Sequence, residues 1–259
     1  MFRFLVPLLI ATCIFMSVRT SVASSKDSPA TPVLVELFTS EGCSSCPPAD
    51  RLLQELDRQP VAGAQLIGLS EHVDYWNHIG WKDPYSSRFF SDRQSAYAAH
   101  FGLSTVYTPE MVVDGAGEFV GSDSGRASQA CGEALSSEKI SVRISSLSVN
   151  GRNIQARVET GALPASSSQS QADVVAVLAL NHAESQVSAG ENSGRRLTHV
   201  AVVQSLTRVG TVEKGKPFAQ DIRLKLPPGR DPSNLRLIAF VQESGPGKVL
   251  GAALEPVQK

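Results

Sequence analysis

The sequence has few cysteines for its length and no excess of charge of either sign. It holds four cysteines in 259 residues, and 24 lysines and arginines face 25 aspartates and glutamates. So few cysteines exclude a small fold held by a dense disulfide framework. The absence of basic runs argues against nucleic acid or an anionic membrane surface as a partner. The chain is long enough for one large hydrophobic core or two small ones.

Long apolar runs are also scarce, and the one that stands out lies at the N-terminus. It follows Arg3, extends from Phe4 to Val18, and ends just before the small residues of Ser21–Ala23. The run is shorter than the roughly 20 residues that a membrane-spanning helix needs. We therefore predict a signal peptide over residues 1–23, with export and no membrane attachment after cleavage, followed by a flexible leader over residues 24–32.

The remaining chain changes its pattern near residue 138. Before that point, apolar strand-like runs alternate with segments of helical spacing, which is typical of an α/β fold. After it, short β-branched runs recur about every ten residues, as in all-β folds. We predict an α/β domain over residues 33–137 with an extended loop over residues 71–86, then a smaller all-β sandwich domain over residues 139–259.

The predicted elements of the first part are strands at Val33–Phe38, Gln65–Ser70, Pro109–Val113 and Glu118–Val120, and helices at Ala49–Arg58, Ser87–Phe101 and Arg126–Ser136. The predicted strands of the second part are Ile140–Val149, Ile154–Val158, Val174–Leu180, His199–Leu206, Ala219–Leu226, Leu235–Gln242 and Gly251–Leu254.

The motif that carries chemistry is a Cys-x-x-Cys pair, Cys43 and Cys46, between the first strand and the first helix. Cys43 is expected near the positive end of the helix dipole, among free backbone N–H groups, which favours a thiolate. The spacing is also compatible with a disulfide. We interpret Cys43 as a nucleophile and Cys46 as the thiol that resolves a mixed disulfide.

Two other interpretations of the cysteine pair stay open. With His72 or His78 the two thiolates could hold a soft ion such as Cu(I) or Zn(II), or the pair could form a disulfide that serves only the structure. No second Cys-x-x-Cys or His-x-x-His pair completes a metal signature. We favour the redox interpretation, which requires no cofactor and takes thiols or disulfides of exported proteins as partners.

A segment rich in aromatic residues, Glu71–Trp81, follows the second strand. It leaves the C-terminal end of a parallel strand, the edge at which ligands bind in open α/β sheets. We expect it to overhang Cys43, with Trp76 and His72 in the wall of a substrate groove. The alternative is a long loop whose aromatic residues form a local core.

Other polar or reactive residues receive a structural interpretation. Cys131 is expected to be a small apolar residue on the buried face of the last helix of the α/β domain. The second half carries His182, His199 and a charged cluster, which we interpret as loop and strand-end polar groups. That cluster consists of Glu191, Arg195 and Arg196.

The order of these features resembles the thioredoxin superfamily. The strand Val33–Phe38, the Cys-x-x-Cys helix, a Thr108-Pro109 pair before two antiparallel strands, and a final helix follow that fold. The resemblance implies that Pro109 is in the cis form beside the disulfide and that the Thr108 backbone pairs with a substrate chain. It also places Glu36 at roughly the position of the buried acid that moves protons for the inner cysteine in thioredoxins. The alternative is that Glu36 is a partnered structural carboxylate.

A closer resemblance is to an uncharacterised bacterial family of predicted secreted proteins, domain of unknown function 1223. It rests on the runs Glu36–Asp50, His72–Trp76 and Tyr107–Gly115, and it extends through Gly190–Asn192 and Leu197–Val203. Membership implies the fold and export but no particular reaction.

Overall fold

The computed structural model describes residues 30–58 and 63–258, together with Met1. Apart from Met1, the predicted signal peptide lies outside the described residues, as does most of the predicted leader, and the first strand already begins at Thr31. Within the described ranges, no helix is long and apolar enough to cross a membrane.

The first part of the chain folds in the predicted order of elements. They are β1 (Thr31–Thr39), α1 (Pro47–Arg58), β2 (Ala64–His72), α2 (Arg88–Phe101), β3 (Glu110–Val113), β4 (Gly117–Val120) and α3 (Ser124–Leu135).

The second part consists of seven strands among the described residues, and each overlaps a predicted strand. They are β5 (Val142–Asn150), β6 (Asn153–Thr160), β7 (Gln171–Gln186), β8 (Arg196–Glu213), β9 (Phe218–Lys225), β10 (Leu235–Glu243) and β11 (Val249–Pro256).

One large sheet runs through both parts of the chain. Its strand order is β11-β10-β7-β8-β2-β1-β3-β4, with β1 parallel to β2 and antiparallel to β3. The two parts join where β8 pairs in parallel with β2 at Ser70 and Val202. The molecule is therefore a mixed α/β protein with a large sheet and few helices.

The strands predicted for a separate sandwich domain divide between two sheets. A second sheet, in the order β5-β6-β9, packs on the part of the large sheet that contains β7, β8 and β10. The other face of β7, β8 and β10 packs in a different apolar cluster, which also contains Phe90 of α2. Because apolar residues cover both faces of these strands, they suit the interior of a sheet that continues the α/β part.

The two faces of β1 carry different layers, and this decides which side chains can reach the cysteines. Val33, Val35 and Leu37 face α1 and α3, where Leu53 also packs. The alternate residues of β1 face the opposite side, which α2 covers, because side chains alternate along a strand. Cys131 of α3 is buried in the first of these layers, as predicted.

Candidate functional site

The Cys-x-x-Cys pair forms a disulfide in the loop between β1 and α1. The Cα atoms of Cys43 and Cys46 lie 5.4 Å apart, and the N–H of Cys43 donates to the carbonyl of Ser40 at 3.1 Å. The carbonyl of Cys46 accepts the N–H of Asp50 at 3.1 Å and so begins the helix. Pro47 is the first helical residue. The N–H of a residue at that position has no partner within the helix, so proline loses no hydrogen bond there.

Trp76, Thr108 and Pro109 lie beside this loop. Ser45 Oγ donates to the carbonyl of Thr108 at 3.5 Å, and Trp76 Nε1 donates to Thr108 Oγ1 at 2.8 Å. The Thr108–Pro109 peptide bond is cis, as the resemblance implied. A Cβ on Gly42 would lie 3.0 Å from the Cβ of Trp76, so a larger residue before Cys43 would press on the Trp76 backbone segment.

Both cysteines are fully buried, whereas the two serines between them are exposed. A turn over residues 187–195, which we call the β7–β8 turn, lies against the cysteine loop. The amide of Asn192 donates to the carbonyls of Glu41 and Cys43, each at 2.9 Å. The carboxylate of Glu191 accepts the N–H of Ser44 at 3.0 Å.

The β7–β8 turn is the part of the site that the sequence did not predict. Glu191 was interpreted as a loop polar group of the second domain, but it contacts the cysteine loop. The turn reaches the loop because β7 and β8 continue well beyond their predicted ends and β8 pairs with β2. The sequence did contain one signal for this contact: Gly190–Asn192 resembles the same family that the cysteine motif resembles.

Replacing Asn192 by Ala is expected to loosen the β7–β8 turn. The buried carbonyl of Glu41 would lose the Asn192 donor, and that of Cys43 would keep the N–H of Cys46 but lose the Asn192 amide, which lowers the free energy of unfolding by about 1–3 kcal/mol. If that loss is expressed as opening of the cysteine loop, the same change should speed reduction of the disulfide by dithiothreitol roughly 5- to 150-fold. Ser193→Ala is the matched control, because the side chain of Ser193 is exposed and its hydroxyl donates to the carbonyl of Ser188 within the turn rather than to the cysteine loop. Equal reduction rates in the two variants would contradict the role of Asn192 in holding the β7–β8 turn against the cysteine loop.

A cluster of buried ionisable side chains lies on the inner side of the cysteine loop. His72 Nδ1 lies 2.7 Å from Asp83 Oδ2. His199 of β8 lies between two carboxylates, 3.4 Å from Glu41 Oε1 and 3.8 Å from Asp50 Oδ1. The rings of His72 and His199 meet edge to face with centroids 4.7 Å apart. We call Glu41, Asp50, His72, Asp83 and His199 the buried charged cluster.

The carboxylates decide the protonation of His199. Burial alone would lower the pKa of His199, but the charges of Asp50 and Glu41 outweigh it and raise the pKa to about 10. For Asp83, burial would raise the pKa, yet His72 and two backbone N–H groups lower it below the ordinary value. His199 is therefore an imidazolium at neutral pH, although it is buried.

The protonated His199 predicts that the protein loses stability in mild alkali. Its folded pKa of about 10 exceeds the ordinary value of 6.5, so the contribution of His199 is complete below about pH 6.5 and is lost as the pH approaches 10. Between pH 7 and 9 the free energy of unfolding should fall by up to about 1.4 kcal/mol per pH unit more in the wild type than in His199→Gln.

Urea unfolding at several pH values measures this difference. His182→Gln is the control, because His182 lies half exposed at the surface beside Glu184. The control should keep the steeper pH dependence of the wild type. Parallel pH profiles for the wild type and His199→Gln would contradict a buried imidazolium.

The structure does not bring the predicted histidines to the cysteines as groove or metal residues. His72 is fully buried against Asp83 and cannot line an open groove. His78 is exposed and its Nδ1 lies 2.6 Å from the carbonyl of Tyr75. Among the residues that the structure describes, no group of three or more His, Cys, Asp or Glu side chains is placed to hold a metal ion.

Glu36 lies on the opposite face of the sheet from the helix that begins at the cysteines. It contacts α2, where Arg93 donates from Nε to Oε2 at 2.7 Å and from a terminal nitrogen to Oε1 at 3.0 Å. Tyr97 donates to the same Oε1 at 2.6 Å. Of the two interpretations of Glu36, this geometry corresponds to the partnered structural carboxylate.

A second buried acid completes the group around Glu36. Glu71 of β2 lies 3.6 Å from Arg93 Nε. Burial, reinforced by the neighbouring Glu36 carboxylate, raises the pKa of Glu71 well above its ordinary value. Arg93 also donates to Gln242 of β10 at 3.1 Å. The group therefore ties α2, β1, β2 and β10 together with one guanidinium.

The aromatic loop serves as a local core and also reaches the cysteine loop. Val73, Tyr75 and Trp76 pack with Phe38 and Tyr97 in a small apolar cluster. Trp76 also lies against the cysteine loop through its contacts with Gly42 and Thr108. Trp76 therefore belongs to the local core and also lies beside the cysteine loop, so the two interpretations of this segment do not exclude each other at this residue.

These features define the class of the molecule as a mixed α/β protein with a Cys-x-x-Cys disulfide at the start of its first helix. The profile of the family described as "Protein of unknown function (DUF1223)" matches residues 34–242. The chain belongs to this family, as the sequence resemblance predicted.

Solved structures share the fold over most of the chain. Protein AGR_C_4864 from Agrobacterium tumefaciens is 26% identical, with a TM-score of 0.69, over 90% of this chain and 97% of that chain. HBP35 of Porphyromonas gingivalis is 15% identical, with a TM-score of 0.66, over 90% of this chain and 77% of that chain. No curated protein matches the sequence.

Proposed function

We propose that the protein is an exported thiol-disulfide oxidoreductase whose reactive groups are Cys43 and Cys46. The observation that carries the proposal is the disulfide between these residues at the N-terminus of α1, with Thr108 and Pro109 beside it. Cysteines at such a position are exposed to the positive end of the helix dipole, which stabilises a thiolate.

The strand topology supports a thioredoxin-like interpretation of residues 31–135. The strands of that part lie in the order β2-β1-β3-β4, with β3 antiparallel to β1, and the cysteine pair follows β1. The remaining strands extend the sheet beyond β2 and add a second layer.

The proposed reaction exchanges one disulfide for another. The Cys43 thiolate attacks a partner disulfide, forming a mixed disulfide and releasing one partner sulfur as a thiolate. Cys46 then attacks Cys43, so the second partner sulfur leaves and the Cys43–Cys46 disulfide forms. The reverse sequence would oxidise a partner dithiol, and the direction depends on the reduction potentials of the two pairs.

Exchange with a protein requires the cysteine loop to become accessible. In the oxidised form both cysteines are fully buried and the β7–β8 turn is bonded to the loop. We propose that a partner approaches from the side of Ser44, Ser45 and Thr108, where the loop reaches solvent, and that the β7–β8 turn moves during exchange. The N-terminal sequence pattern supports export as the setting of this reaction.

The test is to measure reduction of insulin by dithiothreitol with and without the chain of residues 24–259, and to analyse the same preparation for metals. Acceleration of insulin reduction, together with the absence of stoichiometric metal, is the expected result. No acceleration, with one equivalent of copper or zinc bound, would instead favour the metal-binding alternative and reject the oxidoreductase.

A further inference from the structure

The inner cysteine has a buried acid one helical turn away. The carbonyl of Cys46 accepts the N–H of Asp50 at 3.1 Å, so the two residues stand in the relation i and i+4 at the start of α1. Side chains in this relation lie on one face, with Cβ atoms about 5–6 Å apart. Cys46 has no exposed area and Asp50 is 6% exposed, so both side chains face the interior.

Asp50 is itself held in place by residues of two strands. Thr39 Oγ1, at the end of β1, donates to Asp50 Oδ1 at 2.9 Å. His199 of β8 approaches the same oxygen at 3.8 Å. Other ionisable groups near Asp50 are Glu41, which follows β1, and the His72–Asp83 pair from the end of β2 and the aromatic loop.

The buried charged cluster retains unused hydrogen-bonding capacity among the described residues. His199 Nε2 faces Glu41 Oε1 at 3.4 Å and His199 Nδ1 faces Asp50 Oδ1 at 3.8 Å, contacts between charged groups that fall short of hydrogen-bond geometry, and His72 Nε2 is buried without a hydrogen-bond partner among the described residues. Buried polar atoms of a purely structural cluster are normally satisfied. The loose contacts of His199 and the free ring nitrogen of His72 leave this cluster able to accept or release a proton.

We propose that the buried charged cluster controls the ionisation of Cys46, with Asp50 receiving the proton of the Cys46 thiol and His199 acting as a positioning residue for Asp50. This inference rests on the proposed thiol-disulfide exchange and assigns a proton acceptor to it. It replaces Glu36 in that role, because Glu36 lies across the sheet from α1 and is bound to Arg93.

The proton transfer belongs to the second step of the exchange. The Cys46 thiol gives its proton to the Asp50 carboxylate as its sulfur attacks Cys43 of the mixed disulfide. The Cys43–Cys46 bond forms, the bond from Cys43 to the partner sulfur breaks, and the partner leaves as a thiolate. The proton on Asp50 is then released to solvent or to the departing thiolate, so no other oxidant or reductant is needed.

The test is to titrate Cys46 alone by its thiolate absorbance. Residues 24–259 contain three cysteines, so Cys43→Ser together with Cys131→Ala leaves Cys46 as the only thiol. In this background Asp50→Asn should lower the titration midpoint of Cys46 by about one to two pH units, because a negative charge one turn away is lost. His199→Gln should raise the midpoint by a similar amount, because a positive charge is lost.

Glu55→Gln is the matched control, since Glu55 lies on the exposed side of the same helix and should leave the midpoint unchanged. Asp50→Asn keeps an acceptor for Thr39, and urea unfolding verifies that each variant is folded. If one variant does not fold, the sign and size of the shift in the other decide. A shift below about 0.3 pH units in a folded variant, or shifts of the same sign, would overturn the proposal.

The titration needs no partner protein and no turnover. Failure of the wild type to accelerate insulin reduction would reject the proposed function and leave the titration result unaffected. Unchanged midpoints in a chain that reduces insulin would reject only the role of the cluster.

Discussion

Replacing Arg93 by Met is expected to lower the free energy of unfolding by about 3–5 kcal/mol. Arg93 is 10% exposed and Glu36 is 1% exposed, and their two hydrogen bonds form the centre of a buried ionic group. Removing the guanidinium leaves the Glu36 carboxylate buried beside Glu71, with the Tyr97 hydroxyl still donating to it but no positive charge from Arg93. The loss is large because an uncompensated charge stays in a medium that solvates it poorly.

Urea unfolding of the variant and of Arg88→Met measures this effect. Arg88 lies on the same helix and pairs with Asp92, but the two side chains are 78% and 62% exposed. An exposed pair of this kind contributes up to about 1 kcal/mol. Similar losses in the two variants would show that Arg93 is not the charge that holds α2 to the sheet.

Replacing Cys43 by Ser is expected to abolish the acceleration of insulin reduction. The hydroxyl of Ser cannot act as the attacking sulfur or form a mixed disulfide, so the rate should fall to that of dithiothreitol alone. Cys131→Ser is the control, because Cys131 is buried on α3, where burial raises its pKa to about 11. The control should retain the activity of the wild type.

Equal loss of activity in both variants, or retained activity in Cys43→Ser, would contradict the assignment of the nucleophile. A thiol with a raised pKa reacts poorly at neutral pH, so Cys131 is not expected to replace Cys43.

Local sequence patterns predicted the elements well because they report burial of one strand or helix face at a time. The cysteine motif was placed correctly at the start of a helix, and Pro47 agrees with that start because its missing N–H is harmless there. Thr108 and Pro109 were predicted beside the loop from the resemblance, and both lie there.

Long-range strand pairing was not predictable from the same patterns. The apolar run around Val200–Val203 showed that β8 is buried, but the identity of its neighbour depends on residues more than a hundred positions away. That pairing brings His199 and the β7–β8 turn to the cysteine loop. The prediction of two separate domains accordingly assigned both to a distant sandwich.

The position of Glu36, by contrast, could be predicted from the sequence, because successive side chains of β1 alternate between the two faces of the sheet. Val35 and Leu37 pack against α1 and α3, so Glu36 between them must face the other side of the sheet. The resemblance to thioredoxins suggested a role at the cysteines, with a partnered structural carboxylate as the alternative. The alternation of side chains along β1 places Glu36 on the face of the sheet opposite the helix that begins at the cysteines.

Thiol-disulfide exchange at Cys43 is tested by a mass measurement on the Cys46→Ser chain of residues 24–259. After this chain is mixed with insulin, we expect a covalent complex joined through Cys43 that dithiothreitol releases, because a serine hydroxyl in place of the Cys46 thiol cannot resolve the mixed disulfide. The double variant Cys43→Ser and Cys46→Ser should give no complex. Absence of the complex with Cys46→Ser, in a folded chain whose Cys43 thiol is reduced, would contradict thiol-disulfide exchange at this site.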